Sequence, residues 1–110
     1  MENYGLIFYN LDYLLYNEKL NSLEIQQKIL LLIAHEISHQ WFGNLVSIKH
    51  WNDLWLKESF AKFFEYFILD NLYPKYNIKS LFITKLFNVY NIDYLKFRSI
   101  KNNIDNIYII

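Results

Sequence analysis

The fold is decided by one stretch of the chain, from His35 to Tyr66, which reads HEISHQWFGNLVSIKHWNDLWLKESFAKFFEY. It opens with two histidines four residues apart and continues into a run whose apolar and aromatic residues recur at helical spacing. Between these parts, the segment from Gly43 to Asn52 is predicted to be a turn. The stretch therefore predicts two helices, with the second folded back against the first.

The first helix is predicted to run from residue 22 to residue 43. Ser22 can cap its N-terminus, Glu24 lies in its first turn, and Gly43 can end it. Apolar residues recur between these signals at helical spacing: Ile25, Ile29, Leu32 and Ile33. The pattern indicates a helix with one apolar face.

The second helix is predicted from residue 52 to residue 73. Asn52 and Asp53 have short side chains that suit an N-terminal cap, and the helix should end before Pro74. A third helix, over residues 79–97, is amphipathic but carries no chemical motif. The segment from Gly5 to Tyr9 is rich in residues that favour a strand. The expected fold class is mainly α, with a short N-terminal β-strand.

Composition excludes several classes of function. The 110 residues are 54% hydrophobic, which is typical of a folded chain, and the formal net charge is zero, so no basic surface for nucleic acid is expected. There is no cysteine, which excludes disulfides and thiolate metal sites. The longest uninterrupted apolar run, Ile29 to Ala34, is far too short to span a bilayer. We therefore expect no nucleic-acid partner and no membrane-spanning segment in this piece.

The motif from His35 to His39 is HExxH, which predicts a zinc site. Residues four apart on a helix lie on one face, so both imidazoles can reach one ion. Glu36 lies about 100° around the helix from His35. It can therefore act as general base on a water molecule without binding the metal itself.

A catalytic zinc site needs a third protein ligand and one open position. A metzincin would continue as HExxHxxGxxH, but Phe42 and Leu45 stand at the glycine and histidine positions. A gluzincin would place a glutamate on the next helix, and Glu58 is there. Glu65, two helical turns further on, could support the site by bonding to a ligand, but such a glutamate is more often a charge on the helix surface, and that is what we expect.

The alternative without metal is an ordinary helical bundle whose histidines and glutamate lie on a solvated face. Apolar residues surround the motif, however: Leu31, Leu32, Ile33, Ala34, Trp41 and Phe42. Burying two imidazoles and a carboxylate in such a setting costs free energy unless they are paired or bound to metal. The metal-binding interpretation is therefore preferred.

The stretch from His35 to Tyr66 resembles the core of the M1 aminopeptidases, whose usual form is HExxHQWFGNLV followed by WWNDLWLNEGFA. The first five residues, MENYG, resemble the end of that family's exopeptidase motif, GAMENWG. The resemblance covers Met1 to about Pro74. It implies the helical part of a thermolysin-like gluzincin catalytic domain, incomplete within residues 1–110, with residues 1–9 forming the end of the exopeptidase motif and a strand.

The resemblance also implies roles for individual residues. In the family, the HExxH histidines and the downstream glutamate bind zinc, which corresponds to His35, His39 and Glu58, with one Zn²⁺ per chain. The general base corresponds to Glu36. The glutamate that holds the α-amine of the substrate corresponds to Glu2. The implied function is a metalloaminopeptidase that removes N-terminal residues from peptides with a free N-terminus. Family resemblance alone gives a slight preference for the plasma membrane or the extracellular space.

The sequence departs from the family pattern at the third ligand and lacks one motif. Lys57 replaces the usual asparagine before Glu58, and Ser59 replaces the following glycine; we expect zinc affinity to change slightly at most. No Tyr-x-Lys-Gly segment, which carries the family's transition-state tyrosine, is present, and we expect it beyond Ile110. The rival hypothesis is a truncated chain that binds zinc or a partner without turnover.

Overall fold

The computed structural model of the protein describes residues 1–95. A two-stranded hairpin is followed by three helices that make up most of this part of the chain, which confirms the predicted mainly helical fold. The elements are β1 Glu2–Asn3, β2 Leu6–Ile7, α1 Leu23–Ser38, α2 Leu54–Leu72 and α3 Ile78–Leu95. Three single 3₁₀ turns lie between them, at Leu11–Tyr13, Trp51–Asp53 and Pro74–Tyr76.

The N-terminal hairpin contains one strand more than the sequence indicated. Strand β2 lies inside the predicted strand and pairs antiparallel with β1, with Glu2 opposite Ile7. The turn between them passes through Gly5, whose φ of +72° lies in the left-handed region that glycine adopts without strain. Backbone hydrogen bonds between Met1 and Phe8, 2.9 Å in each direction, extend the pairing by one residue. The hairpin is therefore closed by hydrogen bonds at both ends.

Helix α1 begins where predicted but ends earlier. Ser22 Oγ accepts a hydrogen bond from the backbone amide of Ile25, as expected of an N-cap. The helix ends at Ser38 rather than near Gly43, because the chain tightens into a turn after His39. The backbone amides of Asn44, Leu45 and Val46 bond to carbonyls five residues earlier, those of His39, Gln40 and Trp41. The turn closed by these hydrogen bonds replaces the last turn of the predicted helix.

Helix α2 is preceded by the 3₁₀ turn at Trp51–Asp53, and Asp53 occupies its N-cap position without a side-chain capping bond. After Leu72, the chain reverses through Pro74 and through Asn77, which has a left-handed φ of +47°. Helix α3 then begins at Ile78. The last two residues of the predicted third helix, residues 96 and 97, lie outside the described residues.

Helices α1 and α2 pack against each other, and α3 packs against α2. The core between them is small and is made of Leu31, Ala34, Tyr66, Leu69 and Ile78. Three polar residues are also buried in the described chain: Ser38, His39 and Glu65. Ser38 bonds to the Ala34 carbonyl of its own helix at 2.7 Å. The other two belong to the cluster described below, so a large share of this interior is polar.

We expect Leu69→Ala to lower the free energy of unfolding by about 2–5 kcal/mol, because it leaves a cavity in the core. Leu72→Ala is a matched control three residues later on α2, where the leucine is exposed, and it should change stability by less than about 0.5 kcal/mol. Urea unfolding of the two variants gives the comparison. Equal losses would mean that the described core does not hold α1, α2 and α3 together.

Candidate metal centre

Helices α1 and α2 bring three side chains together from two distant parts of the sequence. His35 and His39 lie one turn apart on α1, and their Nε2 atoms are 3.2 Å apart. Glu58, in the second turn of α2, places Oε2 3.4 Å from Nε2 of His35 and 3.5 Å from Nε2 of His39. One ligand atom from each residue therefore lies within 4.8 Å of the other two. These are the three side chains that the sequence predicted as a metal site.

The other ring nitrogen of each histidine fixes its tautomer. Nδ1 of His39 lies 3.0 Å from the carbonyl oxygen of Phe42, which can only accept a hydrogen bond. Nδ1 of His35 lies 2.9 Å from a carboxylate oxygen of Glu65. Both Nδ1 atoms must therefore carry a hydrogen, so that in the neutral rings both Nε2 atoms carry lone pairs.

Three acceptors thus face one another: two imidazole Nε2 atoms and one oxygen of Glu58. Their mutual approach is electrostatically unfavourable unless a cation or a proton lies between them. Neutral histidine nitrogen and carboxylate oxygen are the ligands that Zn²⁺ takes in catalytic sites, and three protein ligands leave one position open. The donor set and the tautomers therefore fit a zinc ion. Histidine ligands in metal sites almost always donate their second N–H in this way.

Glu65 supports His35 from the interior, which corrects the expectation that it would be a surface charge. It is only 2% exposed, and its second oxygen lies 2.7 Å from the ammonium of Lys62. The hydrogen bond that His35 donates to Glu65, with a further contribution from the charge of Glu65, raises the pKa of His35. Seven residues are two helical turns, so Glu65 lies on the same face of α2 as Glu58. This spacing was the signal in the sequence that could have identified it.

Glu36 lies beside this cluster and outside it, as its position on the helix requires. Its side chain is largely buried, and its Oε2 lies 3.4 Å from the amino group of Met1. Tyr9 is nearby: burial, and then the charge of Glu36, raise the pKa of the Tyr9 hydroxyl. The carboxylate of Glu36 is thus directed towards the side on which the hairpin docks.

Two polar residues in the turn after α1 hold the hairpin in place. Gln40 accepts a hydrogen bond from the Gly5 amide at 2.8 Å and donates one to the carbonyl of Asn3 at 3.3 Å. The side-chain amide of Asn44 donates to the carbonyl of Glu2. The residue predicted to bind substrate is thereby fixed next to the histidines, although it lies 33 residues from the first of them in the sequence.

The carboxylate of Glu2 is bonded to Lys57, a contact that the sequence did not reveal. Lys57 Nζ donates to Oε1 of Glu2, and this hydrogen bond is the main reason why the pKa of Glu2 is lowered. The stem of Lys57 crosses Gly43, where a Cβ atom would lie 2.7 Å from Lys57 Cε and 3.2 Å from Nδ1 of His39. Gly43, with φ of +147°, therefore makes room for both side chains.

Comparison with known proteins agrees with this arrangement. Residues 1–107 match the family model described as the peptidase family M1 domain. The chain belongs to peptidase family M1. This is in general a family of zinc metallopeptidases, and the three acceptors described above supply a fitting group of ligand atoms.

The relatives that match are named aminopeptidases. Aminopeptidase M1-D of Oryza sativa subsp. japonica is 41% identical over 95 residues, which cover 86% of this chain and 11% of that protein. Aminopeptidase Ey of Gallus gallus is 46% identical over 83 residues, which cover 76% of this chain and 8% of that protein. Aminopeptidase N of Canis lupus familiaris is 43% identical over 96 residues, which cover 86% of this chain and 10% of that protein. The M1 chain thus spans about a tenth of the length of these relatives.

No solved structure gives a significant match to this M1 chain. Among the described residues, no helix combines the length and the apolar character that crossing a bilayer requires.

We expect Glu65→Gln to lower the pKa of His35 in the metal-free chain, because it removes the charged acceptor at Nδ1. NMR titration of the histidine ring protons measures this change. Glu24→Gln is the matched control, since Glu24 lies on α1 and pairs with Lys28 in solvent. An unchanged His35 titration in Glu65→Gln would contradict the described contact.

The same contact predicts a pH dependence of stability. The pKa of His35 is raised in the folded chain above its value in the unfolded chain, about 6.5. The stabilisation by Glu65 is therefore fully present below about pH 6.5 and is lost as the pH rises through the folded-state value. Urea unfolding across this range should show the loss in the metal-free chain and not in Glu65→Gln.

Proposed function

We propose that this chain provides the zinc site, the general base and the amine-binding carboxylate of a metalloaminopeptidase. The observation that carries the proposal is the convergence of His35, His39 and Glu58 as three acceptors with fixed histidine tautomers. Membership of family M1 and the names of the relatives support the same reaction. The substrates would be peptides with a free N-terminus.

The three acceptors would hold the zinc ion. When bound, zinc supplies Lewis-acid activation of water and of the carbonyl group under attack. Phe42 and Glu65 keep the two imidazoles in the tautomer that binds metal, because each accepts the hydrogen of Nδ1. Protons compete with metal for the same nitrogens, so zinc affinity should fall as the pH is lowered.

Glu36 would move the proton during the reaction. It lies outside the three-acceptor cluster and next to it, which suits a base that takes a proton from the attacking water. It would then return that proton to the amine nitrogen that leaves when the peptide bond breaks. Burial of its side chain keeps the carboxylate in a partly dry setting, where proton transfer is less screened.

Glu2 would bind the α-ammonium of the substrate through a charge-assisted hydrogen bond. The hairpin and its contacts to Gln40 and Asn44 hold this carboxylate beside the metal ligands. A peptide anchored there by its N-terminus would present its first carbonyl to the reactive groups. The enzyme would therefore cut one residue at a time from the N-terminus.

We expect His39→Ala to lose its zinc, because it removes one of three ligands. Zinc content after dialysis, measured by mass spectrometry, should fall from one ion per chain to nearly none. His50→Ala is the matched control, since His50 is exposed and lies outside the cluster. Equal zinc in both variants would overturn His39 as a ligand, and no zinc in the parent protein would favour the metal-free helical bundle.

We expect Glu36→Gln to keep its zinc and to lower the rate of hydrolysis of leucine p-nitroanilide by about 10²–10⁴-fold, the usual contribution of a general base. The assay uses the protein that carries this chain. Glu18→Gln, in an exposed turn, is the control and should retain full activity. Equal rates in Glu36→Gln and the parent would overturn the assigned base. Zinc binding without any hydrolysis by the parent would support the chain without turnover.

A further inference from the structure

We propose that Lys57 sets how strongly this site prefers a free N-terminus, because its ammonium competes with the α-ammonium of the substrate for Glu2. The inference rests on the proposed function, in which Glu2 binds that amine. Lys57 would act through Glu2, without touching the scissile bond, and would determine specificity rather than the rate of the chemical step.

The competing contact is already made in the structure. Lys57 Nζ donates to Oε1 of Glu2, and the two side chains are 15% and 28% exposed. The stem of Lys57 passes close to Gly43, where a Cβ atom would lie 2.7 Å from Lys57 Cε, so the absence of a side chain at Gly43 lets the stem reach Glu2. The ammonium therefore meets the carboxylate in a partly buried position, where the charge–charge contact is less screened than in open solvent.

A substrate ammonium that approaches Glu2 meets this internal cation. Two ammonium groups at one carboxylate repel each other, and partial burial leaves that repulsion only weakly screened. Binding of the amine must either displace Lys57 or share Glu2 with it, and both cost affinity. A substrate whose amine is acetylated carries no charge there, so it pays no such electrostatic cost.

The metal cluster does not depend on the same ammonium. Glu58 follows Lys57 directly, but adjacent residues point about 100° apart on a helix. Glu58 faces His35 and His39, whereas Lys57 faces Glu2. Replacing the ammonium should therefore change amine recognition while zinc content stays the same.

The test is Lys57→Met, which keeps an apolar stem against Gly43 and removes the charge. In the zinc-loaded protein that carries this chain, KM for leucine p-nitroanilide should fall by about tenfold, with kcat changed by less than about twofold. The value of kcat/KM for N-acetyl-leucine p-nitroanilide should not change. Lys57→Arg, which restores the cation, should return KM towards that of the parent. A purely structural role would change both substrates alike.

Two further variants isolate the contact. Lys49→Met removes an exposed lysine that lines a surface pocket together with Gly43 and Lys57, and it should leave both substrates unaffected. In a Glu2→Gln background, Lys57→Met should have no effect on KM, because the shared carboxylate is gone. An unchanged or higher KM for the free amine in Lys57→Met alone would overturn the proposal.

A binding measurement distinguishes failure of this proposal from failure of the proposed function. Calorimetry with leucinamide and N-acetyl-leucinamide needs no turnover. Lys57→Met should bind leucinamide about tenfold more tightly than the parent and N-acetyl-leucinamide equally well. Equal leucinamide affinity in the two proteins overturns the competition by Lys57, whereas absence of zinc and hydrolysis in the parent overturns the proposed function.

Discussion

The structure depends on the meeting of three hydrogen-bond acceptors, His35 Nε2, His39 Nε2 and an oxygen of Glu58, between α1 and α2. Such a group is unfavourable unless a cation or a proton lies between its members, most of all at His39, which is buried, and less at Glu58, which is exposed. Much of the surrounding interior serves to direct these atoms at one another. Glu65 accepts a hydrogen bond from Nδ1 of His35, and the carbonyl of Phe42 accepts one from Nδ1 of His39. The small apolar core holds the two helices at the required separation.

The turn after α1 explains why the residues that follow the second histidine have their particular identities. Gln40 and Asn44 hold the hairpin, the carbonyl of Phe42 fixes the tautomer of His39, and Gly43 leaves room for the side chains beside it. Five consecutive residues thus connect the histidines of the cluster to the segment that carries Glu2. This continuity accounts for the early end of α1, because a further helical turn would point these groups elsewhere.

The sequence predicted the features that depend on local spacing. A spacing of four residues places His35 and His39 on one helix face, and the family pattern identified Glu58. The structure brings all three together, while their role as zinc ligands remains a proposal. The sequence did not predict the contacts that join distant residues or that depend on where a helix ends. The bond between Lys57 and Glu2 joins residues 55 positions apart, which no periodicity could reveal. Glu65 was misjudged because a charged residue on a helix is usually exposed, and only the packing of α1 against α2 buries it.

The adjacency of Lys57 and Glu58 gives α2 a double role. Glu58 faces the histidines and Lys57 faces Glu2, so one helical turn makes both contacts. The contacts of α2 to the histidines and to Glu2 are thus made from adjacent positions of one rigid element. A shift of α2 would move both contacts together, whereas a substitution at position 57 can change the second without disturbing the first. Under the proposed roles, amine preference would therefore vary within this arrangement while the three-acceptor cluster is kept.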